Sequence, residues 1–480
     1  MLKHGFFALA SFFWLFQNVY GEGPVRSPIQ ANDTDKAVEI VVTPYKTTIL
    51  ADGKDTSLII ISVTDEKGNL VTTSDALITF QLTGNGSIKV LTNQDPQQRK
   101  PVKTEKGEWQ QRVYKGKLSV VIQSGSAPGM IHFKASSPGL WDGGTDIITI
   151  RPGQKSTLND PYTYQNMDIR STAVLKGNIL GADISFLPEL EARGIKFYDK
   201  GRQQDALEIL KNHGFNYIRL RLFVEPANDS GYSPGKGFCD LPHTLAMAHR
   251  IKDAGMDFLL DFHYSDTWAD PGKQYKPAAW RGLNFTQLAQ KMYDYTFDVM
   301  QQLKAQGTPP QMVQVGNEIN HGIIWPEGNV QHLDSLAVLL NAGNAAVKKT
   351  DPSIITMLHI ALGGQNVESE FFIDNMIQRD VSFDIIGQSY YPKWHGTLPD
   401  LEMNLNRLLT KYNRPVVVAE YSHVKIPVNK IAFSLPGAQM KGTFIWEPLN
   451  TWEAIFDKEG KSNSFMSEYD EINKTFIFKK

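Results

Sequence analysis

Residues 312–322 read MVQVGNEINHG and residues 414–423 read RPVVVAEYSH. Each is a valine-rich run that ends in a glutamate, Glu318 in the first and Glu420 in the second, with polar and aromatic residues just beyond it. A short run that is apolar without alternation fits a strand covered on both faces, as in a parallel sheet wrapped by helices. Six more runs of this kind surround the two: ILGADISF, NYIRLRLF, DFLLDFHY, IITMLHIA, FDIIGQSYY and GTFIWEP.

Between these runs lie stretches with apolar residues at three- and four-residue spacing, such as RQQDALEILKNHG, HTLAMAHRIKDAG and NFTQLAQKMYDYTFDVMQQLKAQG. They read as amphipathic helices, several closed by a glycine at the C-cap. Eight strands alternating with helices across residues 176–480 predict a (β/α)8 barrel. No G-x-G-x-x-G follows any strand, so no dinucleotide site is expected.

Residues 38–151 have another rhythm. VEIVVTP, SLIIISVTD, ALITFQLTG, KLSVVIQSG, MIHFKASSP and TDIITIRP are β-rich runs, several separated by turn signals such as DEKGN and TGNGS. This predicts an all-β sandwich of immunoglobulin-like type. The stretch beginning PGQKSTLNDPYTYQNMD, residues 152–175, is expected to be a linker. At the start of the chain, Lys3 and His4 precede an apolar run from Phe6 to Phe16, and Gly21 closes the segment. Residues 1–21 are therefore expected to be an export signal, placing the mature chain in a periplasm, at a cell surface or outside the cell. No later run is expected to span a membrane. The sequons at Asn85 and Asn284 carry glycans only in a host that glycosylates.

The 480 residues carry a formal net charge of −2 and no basic block, so nucleic acid is not an expected partner. The single cysteine, Cys239, excludes an intramolecular disulfide and a cysteine-based zinc site. It reads as structural, since nothing around it would activate a thiol. With no sign of an interface, a monomer is the default expectation.

Placed on the barrel, the polar residues collect at strand ends. Strand one supplies Asp183; strand two, Arg219 and Arg221; strand three, Asp261, His263, Tyr264 and Asp266, with Trp268 just after. Strand four supplies Asn317 and Glu318, strand six Tyr390 and Tyr391, strand seven Glu420, and strand eight Trp446. Such strand ends form the active-site face of a barrel. Strands four and seven lie across its mouth from each other, and two facing carboxylates can cleave a glycosidic bond, one as nucleophile and one as acid/base. Arg219 and Tyr391 are placed to keep Glu420 ionised, and Asn317 to meet a sugar 2-hydroxyl. The plainer reading, two glutamates in barrel salt bridges, is the weaker one because the Asn-Glu pair and the strand-seven glutamate occur in register. His263 with Asp266 has an H-x-x-D spacing that zinc tolerates, but no second histidine sits at ligand spacing in the sequence, so no metal is expected. Trp268, Trp325, Trp394 and Trp446 are each either core residues or stacking platforms for sugar rings.

LGADISFLPELEARG, NYIRLRLFVEP, DFHYSDTWADPG, VQVGNEINHGIIWPEG, SYYPKWHGTL and FIWEP resemble the signatures of glycoside hydrolase family 53 through most of residues 176–450. The resemblance implies an endo-β-1,4-galactanase, acting on the galactan of pectin and on galacto-oligosaccharides, with retention. It implies Glu318 as acid/base and Glu420 as nucleophile, with His263, Trp268, Asn317, Tyr391 and Trp446 lining the cleft. Asp183, Asp266 and Trp394 are carried as supporting candidates, and either Arg219 or Arg221 as the arginine beside the nucleophile. Where the family commonly reads E-T-A-Y, this chain has Glu420-Tyr421-Ser422-His423, which alters the contacts next to the nucleophile. Some bacterial relatives bind calcium after strands seven and eight. No Asp/Asn cluster follows Glu420 here, so no cofactor is expected. The stretch from ADGKDTSLIIISVTDEKGNLV to ITFQLTGNGSI resembles the Ig-like modules of family 2 galactosidases. That module is expected to be a spacer, with glycan binding as its alternative. The alternatives for the whole chain are a retaining mannanase, glucanase or exo-galactosidase, or a non-catalytic glycan-binding protein.

Overall fold

The computed structural model describes residues 36–65, 68–93, 95–97, 100–151, 177–435, 440–451 and 454–477. The expected export signal, 1–21, and linker, 152–175, lie outside them. The chain divides into two compact units. The first takes in the described residues through Thr149 together with Pro392–Thr397; the second takes in Ile150–Tyr391 and Leu398–Lys480.

The first unit is built on two β-sheets. One has four strands in the order Glu39–Pro44, Thr56–Thr64, Lys117–Ser124 and Gly86–Thr92, each antiparallel to its neighbours. The other runs Thr48–Leu50, Gly143–Ile150, Gly129–Ser136, Leu77–Gly84, Trp109–Arg112 and Val102–Lys103. Strand side chains alternate between faces, so every second residue can enter the core. Ile59, Ile61 and Val63, then Leu118, Val120 and Ile122, then Ile131, Phe133 and Ala135, are all buried in one cluster. Phe80 stacks on Phe133 at its centre, ring centroids 5.7 Å apart.

The second unit is a closed barrel of eight parallel strands in chain order: Ile179–Asp183, Tyr217–Leu222, Asp257–Phe262, Met312–Val315, Ile355–Ile360, Ile385–Tyr390, Val416–Tyr421 and Met440–Trp446. The first seven fall within the apolar runs of the sequence, and the eighth begins two residues ahead of its run, at Met440. The first strand closes on the last, with Asp183 opposite Trp446. The near-continuous burial of the strands has two sources. One set of side chains fills the barrel interior, namely Ile179, Tyr217, Leu259, Met312, Ile355, Met357, Ile385, Val417, Ala419 and Phe444. The other faces the helices in a larger cluster that includes Leu220, Leu260, Val313, Leu358 and Val418.

The helix signals have visible causes. Asn284 and Gln287 cap the helix Phe285–Ala305 reciprocally, each side chain accepting from the other's backbone N–H. Gly255 and Gly307, just past two helices, adopt φ of 66° and 78°, the left-handed turn that ends a helix. One boundary differs from the sequence pattern. Arg202–Gln204 is a strand paired with Phe197–Asp199, and the helix begins only at Ala206. Asp205 is its N-cap, in extended conformation with its carboxylate accepting from the N–H of Leu207, so the residues before it cannot be helical.

Candidate active site

The strand-four run ends in a sharp turn. Gly316 has φ 92° and Glu318 φ 50°. A Cβ on Gly316 would stand 2.6 Å from Ile319 Cγ2, so this bend admits no side chain there. A non-glycine residue in the left-handed region costs about 1 kcal/mol or more, and such residues gather at functional sites. Here the bend gives consecutive residues, Asn317 and Glu318, separate roles at the barrel mouth.

Arg219 is the hub. It is 1% exposed. Its Nη1 donates to Asp183 Oδ2 at 2.7 Å and to Glu420 Oε2 at 3.0 Å. Its Nη2 donates to Asp261 Oδ2 and to Asn317 Oδ1, both at 2.8 Å, and its Nε to Gln314 Oε1 at 3.3 Å. A buried guanidinium is tolerable only with such a complement of acceptors. Tyr391 Oη donates to the other oxygen of Glu420, Oε1, at 2.7 Å. Burial and the two nearby glutamates raise the Tyr391 hydroxyl well above the usual phenol range, so it stays a donor.

An oxygen of Glu318 and an oxygen of Glu420 lie within 4.8 Å of each other. Both residues are 8% exposed, low in the site but reachable. Burial, and then the charge of Glu420, push the Glu318 carboxyl well above the usual carboxylate range. Burial raises Glu420 as well, but Arg219 and the Tyr391 hydroxyl pull it back, so Glu420 loses its proton first. The site therefore favours one ionised and one protonated carboxyl group, facing each other.

The other sequence candidates divide. Asp183 receives Arg219 on Oδ2 and the Ser185 hydroxyl and N–H on Oδ1, and so anchors the guanidinium. His263 takes the Ala269 N–H on Nδ1 at 3.1 Å and sets Nε2 3.1 Å from Asp261 Oδ2, which makes it an orienting group. Asn317 gives one amide hydrogen to the Ala269 carbonyl at 2.9 Å. Arg221 does not reach Glu420. It pairs with Glu447 at 2.5 Å, and its guanidinium stacks between Phe186 and Trp268, 4.4 Å from each ring. Trp268 and Trp446, each partly exposed, meet edge to face at 6.2 Å. Asp266 ties loops together: it accepts from the backbone N–H groups of Glu225 and Ala278 and from the Asn228 amide. Trp394 lies on the short helix Pro392–His395, which groups with the first unit, and Lys393 Nζ stands 5.3 Å from its ring centroid.

Buried polar residues beyond the sequence candidates include Gln314, His359, Ser389 and Glu447. Each sits within an apolar run, and a polar side chain at such a position was the available signal. Glu318, His359 and Glu420 come close enough to hold a metal ion. Yet His359 Nδ1 faces Gln314 Nε2 at 2.8 Å and its Nε2 faces Ser389 Oγ at 2.9 Å, so neither ring nitrogen is open to an ion.

A closed parallel barrel with two unlike carboxyl groups at its mouth defines a glycoside hydrolase of the two-carboxylate kind. The comparisons agree. The family model described as Glycosyl hydrolase family 53 matches residues 179–429. A Niallia circulans protein, described as an uncharacterized protein in the bgaB 5′ region, is 45% identical over 254 residues, covering 51% of this chain and 67% of that one. The endo-beta-1,4-galactanase of Bacillus subtilis (strain 168) is 36% identical over 249 residues, covering 52% of this chain and 57% of its own length. Among solved structures, the family 53 catalytic domain of Ignisphaera aggregans superposes with a TM-score of 0.59 at 31% identity, covering 62% of this chain and 97% of that domain. The chain belongs to glycosyl hydrolase family 53. Residues 40–145 match Glycoside hydrolase family 2 C-terminal domain 5, in keeping with the Ig-like reading of the sandwich.

Proposed function

We propose that this chain is an endo-β-1,4-galactanase that hydrolyses the β-1,4-galactan of pectin with retention. The observation that carries the reading is the Glu318–Glu420 pair, with oxygens within 4.8 Å and only Glu420 gripped by Arg219 and Tyr391. A separation of about 5 Å suits a covalent intermediate, whereas inversion needs about 6.5–9.5 Å to admit a water between the groups.

Glu420, ionised, attacks the anomeric carbon. The bond from that carbon to the leaving sugar oxygen breaks, and the proton of Glu318 passes to that oxygen. Glu318, now a carboxylate, takes a proton from a water whose oxygen bonds to the anomeric carbon. The ester to Glu420 breaks, and Glu420 leaves as a carboxylate. Two inversions give net retention. The free amide hydrogen of Asn317 is offered to the sugar 2-hydroxyl, and the open edges of Trp268 and Trp446 offer apolar surface to galactose rings.

The test is incubation with linear β-1,4-galactan beside mannan and β-glucan, with product sizing. A ladder of galacto-oligosaccharides from galactan alone supports the reading. Mannan or glucan cleavage, or release of single galactose units only, replaces it with another barrel specificity. No cleavage at all leaves a glycan-binding protein. Export, supported by residues 1–21, is part of the same proposal. It is tested by cell fractionation and by sequencing the N-terminus of the mature protein. Action as a monomer is tested by light scattering. Among the described residues no helix is long and apolar enough to cross a membrane.

A further inference from the structure

Strands five and six bring His359 and Ser389 beneath the acid/base candidate, both fully buried. Their hydrogen-bond directions follow from one group that can only donate. Arg219 Nε faces Gln314 Oε1, so the Gln314 carbonyl is the acceptor and its NH2 must point away. That NH2 has two hydrogens and two close partners, Asp261 Oδ1 at 2.7 Å and His359 Nδ1 at 2.8 Å. The backbone N–H of Glu318 also points at His359 Nδ1, at 3.3 Å. Two donors on one ring nitrogen make Nδ1 an acceptor, so the imidazole proton resides on Nε2. Nε2 then donates to Ser389 Oγ at 2.9 Å, which leaves the serine's own hydrogen available to the Glu318 carboxyl group, whose hold on its proton a hydrogen bond from Ser389 weakens.

The chain from Arg219 through Gln314, His359 and Ser389 to Glu318 thus runs in one direction. We propose that His359 and Ser389 are positioning residues that hold a hydroxyl donor against Glu318, so that this group can surrender its proton in the first half-reaction and act as a base in the second. The inference rests on the acid/base reading of Glu318. A fixed donor stabilises the carboxylate form, and here it works against burial and against the charged groups facing Glu318, which are Glu420 and Asp270; Arg219 acts in its favour. Without the donor, Glu318 would hold its proton too tightly once the nucleophile is esterified. The same guanidinium that grips Glu420 thereby orients the donor for Glu318, so the two carboxyl groups share one source of orientation.

The test is the pH profile of kcat/KM on linear β-1,4-galactan for the full chain and for Ser389→Ala, with thermal melts of both. The basic limb reports loss of the acid/base proton in the free enzyme. Ser389→Ala is expected to move that limb upward by about one pH unit. In kcat on an activated aryl galactoside, for which the second half-reaction limits turnover, the acidic limb should be displaced in the same direction. His359→Leu, which leaves the hydroxyl but frees it to rotate, is expected to shift the limbs the same way and serves if Ser389→Ala fails to fold. His359→Gln, which retains an N–H donor, should shift them less. A loss of rate or melting temperature with unmoved limbs in the folded variant would mean a structural role only and overturns the proposal, while leaving the galactanase reading intact. A wild-type chain inactive on galactan overturns both.

Discussion

Nη1 of Arg219 is shared between Glu420 and Asp183, 3.0 Å from Oε2 of the first and 2.7 Å from Oδ2 of the second. The guanidinium thus binds its target and its own anchor through one nitrogen, while Nη2 holds Asp261 and Asn317. A lysine supplies the charge but not the fork. Arg219→Lys is therefore expected to lower kcat on galactan by about 100-fold or more. Loss of at least two of the five contacts also leaves buried acceptors unmet, so urea titration should show about 3 kcal/mol of lost stability. A variant with near-wild-type turnover would remove Arg219 from the site.

Tyr391 donates its hydroxyl hydrogen to Glu420 Oε1 at 2.7 Å. Its hydroxyl stabilises the ionised carboxylate, which lowers the affinity of Glu420 for a proton. Without it, Glu420 keeps its proton to higher pH. The nucleophile must be ionised, so Tyr391→Phe should move the acidic limb of kcat/KM upward and leave the basic limb in place. The limbs are separable by fitting initial rates across pH. An acidic limb displaced downward would contradict the hydrogen-bond assignment.

Glu318 and Glu420 should fail in different ways. In Glu420→Ala no ester can form, and added azide should restore turnover with a galactosyl azide of inverted configuration as product. In Glu318→Ala the ester still forms when the leaving group needs no proton, so an aryl galactoside with a good leaving group should give a burst and a trapped glycosyl-enzyme, detectable by intact mass. The basic limb should also vanish in Glu318→Ala, since the group that titrates there is gone. Exchange of these two phenotypes would exchange the two roles.

Polarity against pattern decided what was legible in the sequence. The barrel strands were visible because both their faces are buried, which writes them as unbroken apolar runs. Strand ends such as Glu318 and Glu420 stood out because a charge closes an apolar run, and Arg219 because a charge interrupts one. Gln314, His359 and Ser389 did not, since an uncharged or lone polar residue inside a strand has no sequence mark that distinguishes a network member from a satisfied core group. The pairing of Arg221 with Glu447 was hidden for a different reason: 226 positions separate them, and only barrel closure between strands one and eight brings them together. In the sandwich, Gly86–Thr92 escaped notice because none of its residues is buried, so no apolar face marks it.

The seam between strands one and eight also sets the last expectation. Gly181 and Asp183 are two residues apart and so share a face of strand one, the face that looks into the barrel. Opposite Gly181 stands Phe444, fully buried and packed edge to face on Tyr217 at 5.5 Å. A Cβ on Gly181 would lie 2.2 Å from Phe444 Cδ1 and 2.5 Å from Cε1, inside any tolerable contact. The ring has little room to retreat, because it packs in the same buried cluster as Ile179, Leu259 and Met312. Gly181→Ala must then push strand one outward or tilt the ring, at a cost of about 1–3 kcal/mol. Displacement of strand one moves Asp183, the anchor of Arg219, so turnover should fall along with the melting temperature. Phe444→Leu removes the clashing Cε1 and replaces the rigid ring with a smaller branched group that can turn away from the new methyl. In the double variant Gly181→Ala with Phe444→Leu, the two losses should therefore be less than additive in both urea stability and kcat. Strict additivity would show that the glycine is not there to admit the ring, and that Asp183 owes its place to something other than this packing.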